Sequence, residues 1–77
     1  MKTLDEFIAL FAEQFDETDI SEFKAETEFK ALNEWSSLIA LSIIAMVDDE
    51  FDVVLKGDDI KKSRTIEDLY KLVENSK

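Results

Sequence analysis

Residues 38–47 read LIALSIIAMV, a ten-residue run with one polar position, in a chain that has no proline and only one glycine, Gly57. Nothing breaks the backbone between Ser36 and Phe51, so the run is expected to be helical from Ser36 or Ser37 to about Phe51. On a helical wheel Ile43, Ile44, Val47 and Phe51 form a core face. Leu38, Leu41 and Ala45, spaced by three and four, fall on an adjoining face, with Ile39 and Met46 besides. A helix this apolar has to be surrounded, and a chain of 77 residues offers few neighbours to do so. Part of its surface is therefore expected to meet a partner or a bound chain; the alternative is a central helix covered by the long loop.

Two further helices can be read around it. Thr3 and Glu6 form a Thr-x-x-Glu capping box, and Leu4, Phe7, Ile8, Phe11 and Phe15 recur as one stripe, which predicts a helix from Leu4 to Phe15. Thr65 and Asp68 form a second box ahead of Ile66, Leu69, Tyr70 and Val73, which predicts a last helix ending near Glu74. Residues 16–35 lack such regularity. So long a connection needs anchors, and Ile20, Phe23, Phe29, Leu32 and Trp35 are the candidates, with a short helical turn near 21–25. Val53-Val54-Leu55 reads as extended, Lys56-Gly57-Asp58 as a turn, and residues 58–62 as a single helical turn. The expected fold is one all-α domain over residues 1–77, a small bundle of three main helices plus a short one, with a long loop between helices 1 and 2.

Absent residue types exclude much chemistry. There is no cysteine and no histidine, which removes Cys/His zinc sites, thiol nucleophiles, the Ser-His-Asp triad and imidazole bases. Asp48, Glu50 and Asp52 alternate as in a calcium loop, but the turn glycine of that loop falls on Val53 and its twelfth position on Asp59. No phosphate-binding glycine loop or nucleophile elbow is present. The start, Met1 to Glu6, turns acidic at once, unlike a signal peptide. The apolar run is far shorter than the roughly 20 residues that span a bilayer. These features predict a cytoplasmic protein without stable membrane insertion.

Charge is concentrated. Residues 1–55 carry 14 acids against 3 bases, and residues 56–77 carry 5 against 6, for a net charge of −10. Such a field repels nucleic acid and attracts proteins with basic patches; on composition alone, the acids can equally serve only to keep a small protein soluble.

Ser36 and Ser37 stand at the head of the apolar helix, and locally either can be a cap or carry a covalent group. Taken in order, Trp35-Ser36-Ser37-Leu38, the apolar helix, Asp48-Asp49-Glu50-Phe51 and Thr65-Ile66-Glu67-Asp68-Leu69 resemble the acyl carrier protein family over about residues 3–75. In that family an Asp-Ser-Leu motif opens the second helix, and an acidic-acidic-aromatic group closes it fourteen residues on, as Phe51 does from Ser37. The resemblance implies an acyl-carrier-like bundle with 4'-phosphopantetheine attached covalently to Ser37, and a chain that is not itself an enzyme. It implies a partner face of Leu38, Leu41 and Ala45 ringed by Asp48, Asp49 and Glu50. Implied partners are a phosphopantetheinyl transferase and acyl-loading ligases or synthases with basic docking patches, in fatty acid, polyketide or related biosynthesis. Ser36 stands where the family has aspartate, Ile39 where an acid is common, and Ser42 and Ala45 replace usual interface residues. The form looks like a specialised, freestanding, monomeric carrier. The alternative from another class is an unmodified acidic interaction module on the same fold.

Overall fold

The computed structural model describes residues 3–76; Met1 and Lys2, which belong to the segment compared with a signal peptide, and Lys77 lie outside the described residues. Four helices follow in order, α1 (Leu4–Ala12), α2 (Ser37–Phe51), α3 (Gly57–Lys62) and α4 (Ile66–Asn75), with no strand among the described residues. This is the expected bundle of three main helices and a short one, and α2 keeps its expected bounds. No helix among the described residues is long and apolar enough to cross a membrane.

Each main helix begins on a side-chain cap. At α1, Thr3 Oγ1 accepts from the Glu6 N–H at 3.2 Å, and Glu6 Oε1 accepts from the Thr3 N–H at 3.0 Å. At α4, Thr65 Oγ1 accepts from the Asp68 N–H at 3.1 Å, and Asp68 Oδ2 accepts from the Thr65 N–H at 3.2 Å. Two orphan amides are thereby satisfied at each start. The carbonyls of Thr27 and Ala25 accept from Ile66 N and Glu67 N at 3.1 and 3.0 Å, so the long connection supplies partners for further free amides of α4.

Helix α1 ends at Ala12, three residues short of the expected Phe15. The amides of Gln14 and Phe15 bond to the carbonyls of Phe11 and Ala12, three residues back, and this tighter winding takes the chain out of the helix. Phe15 is still buried, stacked at 5.7 Å on Phe11 and at 6.3 Å on Trp35. The stripe therefore marks the core correctly and overruns the helix.

Two short 3-10 turns, Ile20–Glu22 and Phe29–Ala31, punctuate the connection. The first overlaps the turn expected near 21–25, starting one residue earlier and ending at Glu22, and the second has no periodic signature. Phe23 and Phe29 are buried as anchors, with Leu32 and Trp35 partly buried against the core. Ile20 is not an anchor: it is 72% exposed, because Phe23 takes the place against Phe11 and Phe15, at 6.3 and 4.9 Å.

A carboxylate fixes the start of this connection. Glu34 Oε1 accepts from the amides of Glu17 and Thr18 and from Thr18 Oγ1 at 3.0, 2.9 and 2.7 Å, and Oε2 accepts from the Asp16 N–H at 2.7 Å. The Thr18 hydroxyl and these amides hold the Glu34 carboxyl below its ordinary pKa. Asp68 is lowered mainly by the Thr65 N–H, and Asp19 mainly by the Ser21 N–H. A carboxyl whose folded pKa lies below its unfolded value adds stability that is complete above the unfolded pKa and is lost as pH falls through the folded one. The urea midpoint is thus expected to be flat near neutrality and to drop below about pH 4. Glu34→Gln, which puts an amide donor where N–H groups converge, should lower the neutral midpoint and flatten the acid slope. Parallel titration of both proteins checks this, and identical acid slopes would contradict the role given to Glu34.

Helix α2 ends at Phe51 and is closed by Asp52, the only residue with positive φ among the described residues (φ 59°, ψ 38°), which Asp tolerates as a left-handed C-cap. The turn expected at Gly57 is instead the first residue of α3, whose start is closed by the Lys56 N–H donating to Asp59 Oδ2 at 2.9 Å. Between them Val53 and Leu55 are buried and Val54 is exposed, as extended backbone alternates.

Candidate functional site

The head of α2 separates the two serines. Ser36 has extended backbone (φ −156°, ψ 170°), its Oγ accepts from the Ile39 N–H at 3.3 Å, and its carbonyl accepts the first helical bond, from Ala40 N at 3.0 Å. Ser36 is therefore the N-cap. Ser37 is the first helical residue and is exposed, and no hydrogen bond engages its hydroxyl among the described residues. The cap alternative for Ser37 is thus excluded by geometry, since that work is done one residue earlier. Serine and aspartate are comparable caps, so Ser36 preserves the backbone chemistry of the family's aspartate while omitting its charge.

A groove of about 600 Å³ opens beside Ser37, with Trp35, Ala40, Leu41, Ile44 and Ile60 as its apolar wall and Lys30 and Lys61 also lining it. Its parts come from the connection, from α2 and from α3. Trp35 was expected as a core anchor. It packs against Phe29 and Phe15 at 5.0 and 6.3 Å while also facing this groove. Lys30, Ile60 and Lys61 were not singled out by the sequence, where they lie far from Ser37 and share no motif with it.

The six residues expected to face partners are all exposed, Leu38 at 74% and Leu41 at 62%. Leu38, Leu41, Ala45, Asp48 and Asp49 follow one side of α2 by helical spacing. Glu50 turns away from that stripe toward α1, where it lines a groove with Glu6, Ala9, Leu10 and Glu13. The apolar surplus of α2 is thus resolved: Ile43, Met46, Val47 and Phe51 are buried, and Leu38 and Leu41 remain uncovered.

The residues at the head of α2 fit a phosphate-linked arm. An accessible, unengaged hydroxyl sits at a helix start whose first amides lack helical partners, and such amides with the helix dipole favour an anion. An apolar groove adjoins it for a slender chain. Comparison with curated proteins and with solved structures gives no match. A family model described as the phosphopantetheine attachment site matches residues 5–73, which take in α2, α3 and most of α1 and α4. The chain therefore belongs to the acyl carrier family of phosphopantetheine-binding proteins, carriers whose covalent group is 4'-phosphopantetheine.

Proposed function

We propose that Ser37 is the attachment residue, and that the chain carries an acyl or related group to partner enzymes of fatty acid, polyketide or related biosynthesis. The observation that carries the assignment is the division of labour at the head of α2: Ser36 caps, and Ser37 is left exposed with a free hydroxyl. A chain without cysteine cannot hold a thioester on its own side chains. The arm supplies a thiol for that purpose, and its tether raises the local concentration of the group at each partner.

The remaining roles belong to the chain. The first amides of α2 favour the phosphate, and Ser37 needs no protein base beside it because the transferase performs the attachment. Leu38, Leu41 and Ala45 offer an apolar contact whose acidic end, Asp48 and Asp49 with Glu50 to one side, steers basic patches toward it. The carrier positions cargo and leaves acyl transfer to its partners, in the cytoplasm.

Purification from the native source tests this reading. The expected intact mass is that of the chain plus an arm and an acyl increment, with the increment removed by hydroxylamine as a thioester would be. An unmodified native chain would favour the interaction-module reading instead. Partner choice has its own test: Asp48→Lys with Asp49→Lys should slow association with the cognate transferase about tenfold or more at low salt, with the difference shrinking as salt is added. Association unchanged across ionic strength would contradict the steering role.

A further inference from the structure

The groove beside Ser37 differs in charge from the other concave surfaces. Grooves elsewhere are lined by Glu17, Asp19, Glu22 and Glu34, or by Glu13, Asp49 and Glu50. The Ser37 groove has no carboxylate among its described lining residues and has two lysines, Lys30 and Lys61. Lys30 is one of only 3 bases in the first 55 residues, so chance placement of cations in this half of the chain is sparse. It is also held in place. Its Nζ donates to the Lys61 carbonyl oxygen at 2.8 Å and lies 6.0 Å from the Phe29 ring centroid. That bond ties the second 3-10 turn to the last turn of α3 and uses one of the three ammonium donors, leaving two for another acceptor. Lys61 itself belongs to that last turn.

We propose that Lys30 and Lys61 bind the phosphodiester that joins the arm to the chain, and so act as positioning residues for the arm. The proposal rests on attachment at Ser37. A phosphodiester there is an anion added to a protein of net charge −10, and the acids at the far end of α2 repel it. Lys30 and Lys61 are the cationic residues lining its groove, and a lysine ammonium can meet a phosphate from many directions as a rotatable point charge. Their pull directs the first part of the arm over Trp35, Ile44 and Ile60 toward α3, away from Asp48 and Asp49. The acids that attract partners and the lysines that retain the arm thereby act toward different ends of α2, on adjoining faces that share Leu41.

The test uses protein loaded from coenzyme A by a broad-specificity phosphopantetheinyl transferase, with loading confirmed by intact mass. Phosphorus NMR then compares wild type, Lys30→Gln with Lys61→Gln, and Lys30→Arg with Lys61→Arg. The wild-type resonance is expected to move as salt rises to about 1 M, where charges are screened beyond about 3 Å, and to converge on that of the glutamine variant. The glutamine variant should lose this salt response and the arginine variant should retain it. If the glutamine pair loses helical circular dichroism, Lys61→Gln alone serves, with a partial loss of the response expected. A fully loaded wild type sharing both resonance and salt response with the glutamine variant overturns the lysine contact while leaving Ser37 assigned. A wild type that takes no arm overturns the Ser37 assignment and the contact with it.

Discussion

Phe11→Ala is expected to cost about 3–5 kcal/mol of folding stability. A 77-residue domain holds roughly 4–12 kcal/mol in all, so this one truncation consumes much of the margin. Phe11 is fully buried on the inner face of α1, with ring centroids of Phe7, Phe15, Phe23 and Phe29 at 6.1, 5.7, 6.3 and 5.3 Å. Three of those rings, Phe15, Phe23 and Phe29, belong to the long connection between α1 and α2. Their removal from contact therefore loosens the connection from the helices as well as leaving a cavity. Burial and ring contacts both enter the cost, since aromatic pairs add about 0.5–1.5 kcal/mol beyond area. Urea unfolding followed by Trp35 fluorescence measures it, Trp35 being packed on Phe15 and Phe29 in the same aromatic chain. A loss below about 1 kcal/mol, the ordinary size for a point substitution, would contradict the role of Phe11 as the joint between α1 and the connection.

Ser37→Ala is expected to abolish loading completely, because alanine has no oxygen through which an arm can be attached. Ser36→Ala should leave loading in place and instead cost about 1 kcal/mol, through loss of the bond from Ile39 N to Ser36 Oγ. The two adjacent serines are thus expected to fail in different assays, one in intact mass after incubation with transferase and coenzyme A, the other in denaturant midpoint. If Ser36→Ala blocks loading and Ser37→Ala does not, the register of the site is wrong by one residue. If both variants load fully, attachment lies elsewhere on the chain.

Local signals in the sequence match the structure where the physics is local. The capping boxes at Thr3 and Thr65 depend on residues three apart, and both are formed. The unbroken run after Ser36 defines α2 because no residue within it resists helical backbone. Where the structure departs from the sequence pattern, the causes are non-local or competing. Phe15 keeps the helical stripe yet leaves the helix, since burial against Phe23 and Trp35 constrains its position more than its backbone state. Ile20 carries the same apolar signal as Phe23, and only the packing decides which of them goes inside. Gly57 drew attention as a turn, while the left-handed residue is Asp52. Glu34 looks like one acid among many, because its hydrogen-bond partners lie 16 to 18 positions away. The candidate site divides in the same way. Ser37, Leu38, Leu41, Ala45 and the acids at 48–50 share one helix and could be found along the chain. Lys30, Ile60 and Lys61 reach the groove only through tertiary folding.

The most direct test of the central claim is to locate the modification. The apo protein, incubated with coenzyme A, Mg²⁺ and a broad-specificity phosphopantetheinyl transferase, should gain the mass of one arm. Fragmentation of the peptide that contains both serines should place that mass on Ser37. An unchanged mass with several transferases, or an arm found on any other residue, would contradict the assignment of Ser37 as the point where the cargo joins the chain.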